Sequence, residues 1–132
     1  MTSQAELIAD GWLTPLSPEV LEARALWPRE ALLARIAAEV RALFPGRVER
    51  LVLYGSRARG EARDEGFAED SDWDVAVFIR DRTDEDRKRL WAWAHALWEE
   101  TGWDVEAKAM AERAYEERTI FMWGLRRDAV DL

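Results

Sequence analysis

The residues best suited to chemistry are two aspartates at the start of an apolar segment. Asp72 and Asp74 lie within SDWD (71–74), which runs into VAVFI. In a strand they point to the same side, with Cα atoms roughly 7 Å apart at ~3.3 Å per residue. Neighbouring carboxylates repel each other unless a cation lies between them, and Mg²⁺ binds one or two carboxylates together with substrate phosphates. The pair therefore predicts a metal site; the alternative is a solvated strand start in an acidic protein.

A second candidate is the Gly55-Ser56 turn, which directly follows the apolar segment RVERLVLY (47–54). Glycine lets the backbone turn sharply and approach a ligand closely. Backbone N–H groups at such a turn favour an anion such as phosphate. Arg57 and Arg59 follow and are available to contact phosphate oxygens. The alternative is an ordinary solvated loop.

A third candidate lies in WDVEAKAM (103–110), where Asp104 and Glu106 share one face of a predicted strand. A third carboxylate beside the aspartate pair completes a two-metal site, in which ions roughly 4 Å apart hold the attacking and leaving oxygens. The same carboxylate can accept the proton of an attacking hydroxyl. The alternative is an edge strand with a polar outer face.

Hydrophobic periodicity and turn residues predict the elements that position these groups. A short helix begins at Pro18 behind Ser17, and a final helix covers 111–127. Between them we expect, in order, a helix over 27–44, a strand over 47–54, a loop with one helical turn over 55–70, a strand over 73–79, a helix from Thr83 to Thr101 and a strand over 103–110. This order predicts an α/β (α+β) fold, with a small mixed sheet of about three or more strands covered by helices.

The apolar residues of the three long helices predict which faces pack on the sheet. The expected anchors are Leu32, Leu33, Ile36, Val40, Leu43 and Phe44 in the first, Leu90, Trp91, Ala94, Leu97 and Trp98 in the second, and Tyr115, Phe121 and Met122 in the third. Trp93 lies outside the apolar stripe of the second helix, which indicates a surface for a partner. His95 is predicted to be a surface or structural residue, because no GxSxG elbow supports a hydrolase built from Ser56, His95 and an aspartate.

Composition excludes several classes of function. The chain has 132 residues, a single histidine and no cysteine, which suits one domain without disulfides or cysteine-ligated metal. Its net charge of −8 argues against direct binding to nucleic acid or to an anionic membrane. We expect a cytoplasmic protein, since no apolar run approaches the ~20 residues of a membrane span and no signal peptide is recognisable.

Together, the segments GSRARG (55–60) and SDWD (71–74) resemble the Gly-Ser…Asp-x-Asp signature of the polymerase-β-like nucleotidyltransferase superfamily. The small size is similar to that of its minimal nucleotidyltransferase (MNT) domain. The resemblance covers 32–132, including the closing LRRDAVDL, and leaves 1–31 as an N-terminal extension.

The resemblance implies specific roles. Gly55 and Ser56, aided by Arg57 and Arg59, would hold ATP or another nucleoside triphosphate. Asp72 and Asp74 would carry two Mg²⁺ ions. A third acid, Asp104 first and Glu106 second, would activate the acceptor. The implied reaction transfers a nucleoside monophosphate, usually AMP, to a hydroxyl and releases pyrophosphate.

The resemblance also implies a partner. Minimal domains commonly pair with a HEPN-domain protein and in several cases act as its antitoxin, so a homo- or hetero-oligomer is expected. A hydroxyl on a partner protein is the favoured acceptor, because the chain has no second domain to form a small-substrate pocket.

Two alternatives remain open at this stage. One is an inactive nucleotide-binding module that neutralises a HEPN partner by binding. The other is a small-molecule adenylyltransferase of the aminoglycoside type. The chain also departs from the minimal pattern, because Ser56 and Asp72 are separated by fifteen residues, 57–71. The added segment EARDEGFAED (61–70) is expected to be a solvated acidic loop, which would repel triphosphate if it lay over the site.

Overall fold

Three helices precede the first strand in residues 2–132, the part of the chain that this computed structural model describes, and helices and strands alternate after it. A 3₁₀ turn, Glu112–Glu116, precedes the last helix. The elements are α1 (Gln4–Ala9), α2 (Pro18–Ala25), α3 (Arg29–Leu43), β1 (Val48–Tyr54), α4 (Gly55–Arg59), β2 (Trp73–Ile79), α5 (Asp84–Thr101), β3 (Val105–Ala111), α6 (Ile120–Asp128) and β4 (Val130–Asp131). Among the described residues, no helix is long and apolar enough to cross a membrane.

The four strands form one mixed sheet in the order β3-β2-β1-β4. β1 pairs antiparallel with both β2 and β4, whereas β2 pairs parallel with β3. A parallel pair needs a long crossover, and α5 supplies it. The mixed α/β architecture confirms the predicted fold class, and β4 adds a strand that the sequence pattern did not indicate.

β2 is buried on both faces, which explains its continuous apolar sequence. Alternate residues from Trp73 to Ile79 pack with α3 and α5, as predicted. Ala76 and Phe78 point to the opposite face. There they meet Met122 and Leu125 of α6, both almost fully buried. α3 presents a regular buried stripe to the first core, consisting of Leu32, Ile36, Val40 and then Phe44 just beyond its end.

α5 turns a different face to the sheet from the predicted one. Leu90 and Leu97 are buried as expected, but Trp91 is 68% and Trp98 46% exposed. Trp93, predicted to lie off the stripe, packs against the first core and donates from its indole N–H to Glu39 at 3.0 Å. Both stripes have helical spacing, and contact with α3 and the sheet selects the one that contains Leu90, Trp93 and Leu97.

The predicted final helix is divided. β3 extends to Ala111, a 3₁₀ turn follows, and α6 begins only at Ile120. The side chain of Thr119 accepts a hydrogen bond from the N–H of Met122 at 3.0 Å and caps the new helix. Of the expected anchors, Met122 is buried, Tyr115 packs edge-on against Phe78, and Phe121 stays 45% exposed.

The N-terminal extension packs against the acidic segment 61–70. Pro15 forms an isolated antiparallel bridge with Phe67, and the backbones of Leu16 and Gly66 are hydrogen-bonded at 2.9 Å. Asp70 is buried, and its Oδ2 accepts N–H bonds from the three residues Glu65, Gly66 and Phe67. The segment is a largely exposed loop, as its composition predicted, and these contacts hold it against the rest of the fold. The predicted short helix after Ser17 is confirmed as α2.

At the opposite end of the sheet from Asp72, a charged pair joins three elements. Arg47 precedes β1 and contacts both carboxylate oxygens of Asp86, at 3.1 and 2.6 Å. It also donates to the backbone of Arg80, just after β2. Asp86 also forms a capping box at the start of α5, in which its carboxylate accepts from the N–H of Thr83 and its own N–H donates to the Thr83 hydroxyl. The hydrogen bond from Arg47 lowers the pKa of Asp86 to about 2, against the opposing effect of burial.

We predict that Asp86→Asn lowers the free energy of unfolding at pH 7 by about 2 kcal/mol, the usual contribution of hydrogen bonds to a charged group. Because the folded pKa lies below the ordinary value of 3.8, wild type gains this stability above about pH 4 and loses it as the pH falls towards 2. Urea denaturation between pH 2.5 and 7 measures the difference. Asp84→Asn, in the same helical turn but exposed, is the control. An equal loss in both variants, or a pH-independent difference, would contradict the prediction.

Candidate active site

Four carboxylates meet where β2 and β3 begin. Asp74 lies opposite Glu106 in the parallel register, and Trp73 lies opposite Val105. The N–H of Trp73 donates to the carbonyl oxygen of Asp104 at 2.9 Å. Because Trp73 and Val105 point into the core, the residues on either side of them point to the other face. Asp72, Asp74, Asp104 and Glu106 are thus brought together by strand pairing.

Burial and the neighbouring carboxylates raise the pKa of Asp72 and Asp74. The pKa of Asp72 rises to about 6, first because of burial and then because of the charge of Asp104 and a side-chain hydrogen bond with it. Burial followed by the charge of Glu106 raises the pKa of Asp74, while Lys108 and Arg59 oppose the rise. Asp104 therefore acts mainly on the first aspartate and Glu106 on the second. The structure keeps both acids beside the pair and leaves the choice of a third acid open.

The donor set suits a hard divalent cation, because it consists of carboxylate oxygens whose repulsion such an ion would relieve. Within residues 2–132 no three potential ligands already converge as a metal cage. Asp72 and Asp74 are the residues that would hold Mg²⁺, with Asp104 or Glu106 as the further ligand. All four are half-buried or exposed, which leaves their oxygens accessible from solvent.

Gly55 ends β1 beside this cluster and has a left-handed φ of +73°. A Cβ built at this position would collide with Oδ2 of Asp74 and lie 3.3 Å from its Cγ. A side chain here would be strained by the positive φ and would push the Asp74 carboxylate aside. The next residue, Ser56, is half-buried within α4, the single helical turn that the sequence predicted.

The two arginines of α4 have different surroundings. Arg57 is buried, contacts both oxygens of Asp64 at 2.5 and 2.6 Å, and places its guanidinium 4.3 Å from the ring centroid of Trp73. It anchors the 61–70 segment to the start of β2. Arg59 pairs with Glu61 and Asp128, stays partly exposed, and lowers the pKa of Asp74. Two residues along a helix differ by about 200° in direction, so one points inward and the other towards the site.

Arg57 therefore has a structural role, and only Arg59 remains a candidate for contact with phosphate. The acids of the 61–70 segment are also engaged: Asp64 with Arg57, Asp70 with backbone N–H groups, and Glu69 with Thr14. The expected repulsion of triphosphate by a free acidic loop has no support in this arrangement.

Two site residues were not predicted from the sequence. Tyr54 lies opposite Asp74 in the register of β1 and β2, and burial followed by the charge of Asp74 raises its pKa. Lys108 places Nζ 2.8 Å from a carboxylate oxygen of Glu106, and its charge lowers the pKa of Asp74. Lys108 could have been found from the sequence, because strand alternation places it on the same face as Asp104 and Glu106. Tyr54 could not, because its position beside Asp74 depends on the pairing of β1 with β2.

The family model described as the nucleotidyltransferase domain matches residues 33–131 and confirms the resemblance. A crystal structure of a candidate nucleotidyltransferase from Sulfolobus solfataricus is also similar. It has 20% identity and a TM-score of 0.46, and the alignment covers 87% of this chain and 86% of that one. No curated protein matches the chain.

We predict that Gly55→Ala weakens Mg²⁺ binding by about ten-fold, because the new methyl group displaces the Asp74 carboxylate. Gly60→Ala is a matched control: Gly60 ends α4 with φ +74°, but a Cβ added there would have nothing within 4 Å. Both variants should lose about 1 kcal/mol of stability from backbone strain. Calorimetry with MgCl₂ and urea denaturation separate the two effects. Equal Mg²⁺ affinity in the two variants would contradict a direct role of Gly55 in placing Asp74.

Proposed function

Because this chain belongs to the nucleotidyltransferase domain family, we propose that it catalyses Mg²⁺-dependent transfer of a nucleoside monophosphate to a hydroxyl group. The proposed donor is ATP or another nucleoside triphosphate, with AMP as the usual transferred group by resemblance. Since Mg²⁺ and nucleoside triphosphates are abundant inside cells, we place the reaction in the cytoplasm.

The observation that carries the proposal is the strand register. Parallel pairing sets Asp74 opposite Glu106 and puts Asp72 beside Asp104, while Gly55 lies so close to Asp74 that an added Cβ would collide with its Oδ2. An aspartate pair, a further acid and a close backbone turn therefore occupy one end of the sheet. These are the parts that transfer between a triphosphate and a hydroxyl requires.

In the proposed reaction, the acceptor oxygen forms a bond to the α-phosphorus, and the bond from that phosphorus to the oxygen of the β-phosphate breaks. Pyrophosphate leaves, and the carboxylate of Asp104 or Glu106 accepts the hydroxyl proton. Gly55 and Ser56 position the triphosphate, and Arg59 contacts its oxygens. Bound Mg²⁺ supplies positive charge to the phosphates and to the leaving group.

We expect a non-hydrolysable ATP analogue to bind the wild-type chain in the presence of Mg²⁺ and to lose detectable affinity in Asp72→Asn/Asp74→Asn. The reason is that the double variant removes the two charged ligands of the proposed ions. Isothermal titration calorimetry with and without Mg²⁺ measures both effects. Asp84→Asn/Glu85→Gln, two exposed acids at the start of α5, controls for the change in net charge.

The proposal fails if the analogue binds equally well without Mg²⁺, or if the Asp72/Asp74 variant retains wild-type affinity. Circular dichroism of each variant verifies that the fold is intact. A loss of affinity in the control variant of similar size would assign the effect to overall charge and would also count against the site.

A second candidate function is neutralisation of a HEPN-domain partner, with the chain acting as its antitoxin. The observation that favours a protein partner is the apolar surface of α6, where Ile120 is 92% and Trp123 61% exposed. Large apolar side chains exposed together are typical of protein interfaces. Neither residue belongs to the carboxylate cluster, so binding and catalysis can be tested with different variants.

For this second candidate, we expect Ile120→Lys/Trp123→Ala to lose binding to a co-expressed HEPN protein, because it removes apolar contact area. Asp72→Asn/Asp74→Asn should retain that binding. Growth rescue then distinguishes the mechanisms: rescue by the aspartate variant indicates neutralisation by binding, whereas loss of rescue indicates neutralisation by nucleotidyl transfer. Unchanged partner binding by the α6 variant would reject this surface.

A further inference from the structure

A cavity of about 690 Å³ opens beside β3, between α5, the N-terminal extension and the 61–70 segment. Asp72, Asp104 and Glu106 form one end of its lining. Gly55 and Ser56 do not line it, so this space is distinct from the turn proposed to hold the triphosphate. A molecule in the cavity would reach the candidate proton acceptors without occupying that turn.

The N-terminal extension builds part of the wall. Leu16 and Arg24 line the cavity together with Ala68 of the 61–70 segment. The two segments are held together by the backbone bonds of Leu16 with Gly66 and of Ala68 with Thr14, at 2.9 and 2.8 Å. The sequence argues against a small-molecule acceptor only because the chain has no second domain to form a pocket for it. Residues outside the 33–131 family match supply the missing wall.

The facing wall is an aromatic stripe on α5. The rings of Trp91 and His95 stack at 5.6 Å with an interplanar angle of 4°, and those of His95 and Trp98 stack at 6.1 Å. All three line the cavity, and none is needed for the core, which α5 contacts through the opposite stripe. Exposed aromatic faces of this kind bind flat apolar groups and cations.

The lining carries an excess of negative charge. Its carboxylates are Asp72, Asp104 and Glu106, of which the last pairs with Lys108. Its one arginine, Arg24, is already engaged: Nε donates to the carbonyl of Gly102 at 2.7 Å, Asp70 lies at 3.8 Å, and the guanidinium stacks on Trp103. His95 pairs with Glu99. The cavity therefore combines an acidic end, an aromatic side and apolar contacts from Leu16, Val105 and Ala107.

We propose that this cavity is the acceptor subsite and takes a small amino alcohol with a flat apolar body. The hydroxyl and ammonium groups lie at the acidic end, and the flat group lies against Trp91 and Trp98. This proposal rests on the proposed function, in which the hydroxyl oxygen bonds to the α-phosphorus, its proton passes to Asp104 or Glu106, and pyrophosphate leaves. With Mg²⁺ held by Asp72 and Asp74, the ammonium group complements the acid, Asp104 or Glu106, that does not accept the hydroxyl proton, and the acceptor needs no second domain.

Three probes that share a phenyl carbinol body test the charge preference: 2-amino-1-phenylethanol, which is cationic, 1-phenylethanol, which is neutral, and mandelate, which is anionic. Titration of the full chain in saturating MgCl₂, followed by NMR, measures each affinity. We expect the cation to bind about five-fold more tightly than the neutral probe and mandelate to bind most weakly. Equal affinities, or the reverse order, would overturn the proposal.

The aromatic wall is tested with Trp91→Ala/Trp98→Ala, which should weaken the cationic probe about five-fold. Both side chains are substantially exposed, so the fold should survive. Trp12→Ala is the matched control, because Trp12 is 72% exposed and does not line the cavity. A similar loss in the control, or unchanged affinity in the α5 variant, would contradict the assignment.

Binding of the ATP analogue with Mg²⁺, measured on the same samples, separates this proposal from the proposed function. The α5 variant should bind the analogue as wild type does. If wild type binds the analogue but none of the probes, the cavity assignment fails alone. If it binds the probes but not the analogue, the proposed function fails and the acceptor role with it. If wild type and the α5 variant transfer nucleotide equally well to a partner protein, the acceptor is a protein and the small-molecule proposal is wrong.

Discussion

Parallel pairing of β2 with β3 is the constraint on which the site depends. It brings Asp74 opposite Glu106 and sets Asp72 beside Asp104, although the two strands are far apart in the chain. Burial and mutual repulsion raise the pKa of both aspartates of β2, so the folded chain holds these charges together at a cost. A bound divalent cation would remove that cost, which links the stability of this end of the sheet to its function.

The rest of the fold offsets this repulsion. β2 is buried on both faces, and its start is held by the guanidinium of Arg57, which stacks on Trp73 and pairs with Asp64. Through Arg57, the 61–70 segment becomes a support for the aspartate strand, and the N-terminal extension is attached to that segment in turn. The acidic composition of the segment thus reflects ordered contacts, because most of its carboxylates have a partner within the fold.

α5 carries two separate stripes with different functions. Leu90, Trp93 and Leu97 pack on the sheet, whereas Trp91, His95 and Trp98 stack beside a cavity. Helical periodicity identified apolar residues correctly but could not decide which of the two stripes faces the sheet. The choice depends on contact with α3 and β2, as the indole bond from Trp93 to Glu39 illustrates.

The sequence alone was sufficient for the main elements, the Gly-Ser turn, the aspartate pair and the fact that Asp72 and Asp74 share a face, because these follow from local propensity and strand alternation. It could not determine which strands are neighbours, that Arg57 is structural while Arg59 faces the site, or that the extension walls a cavity. Those outcomes depend on contacts between residues distant along the chain. Local patterns restrict the face on which a side chain lies, and only packing of the whole fold decides what it meets there.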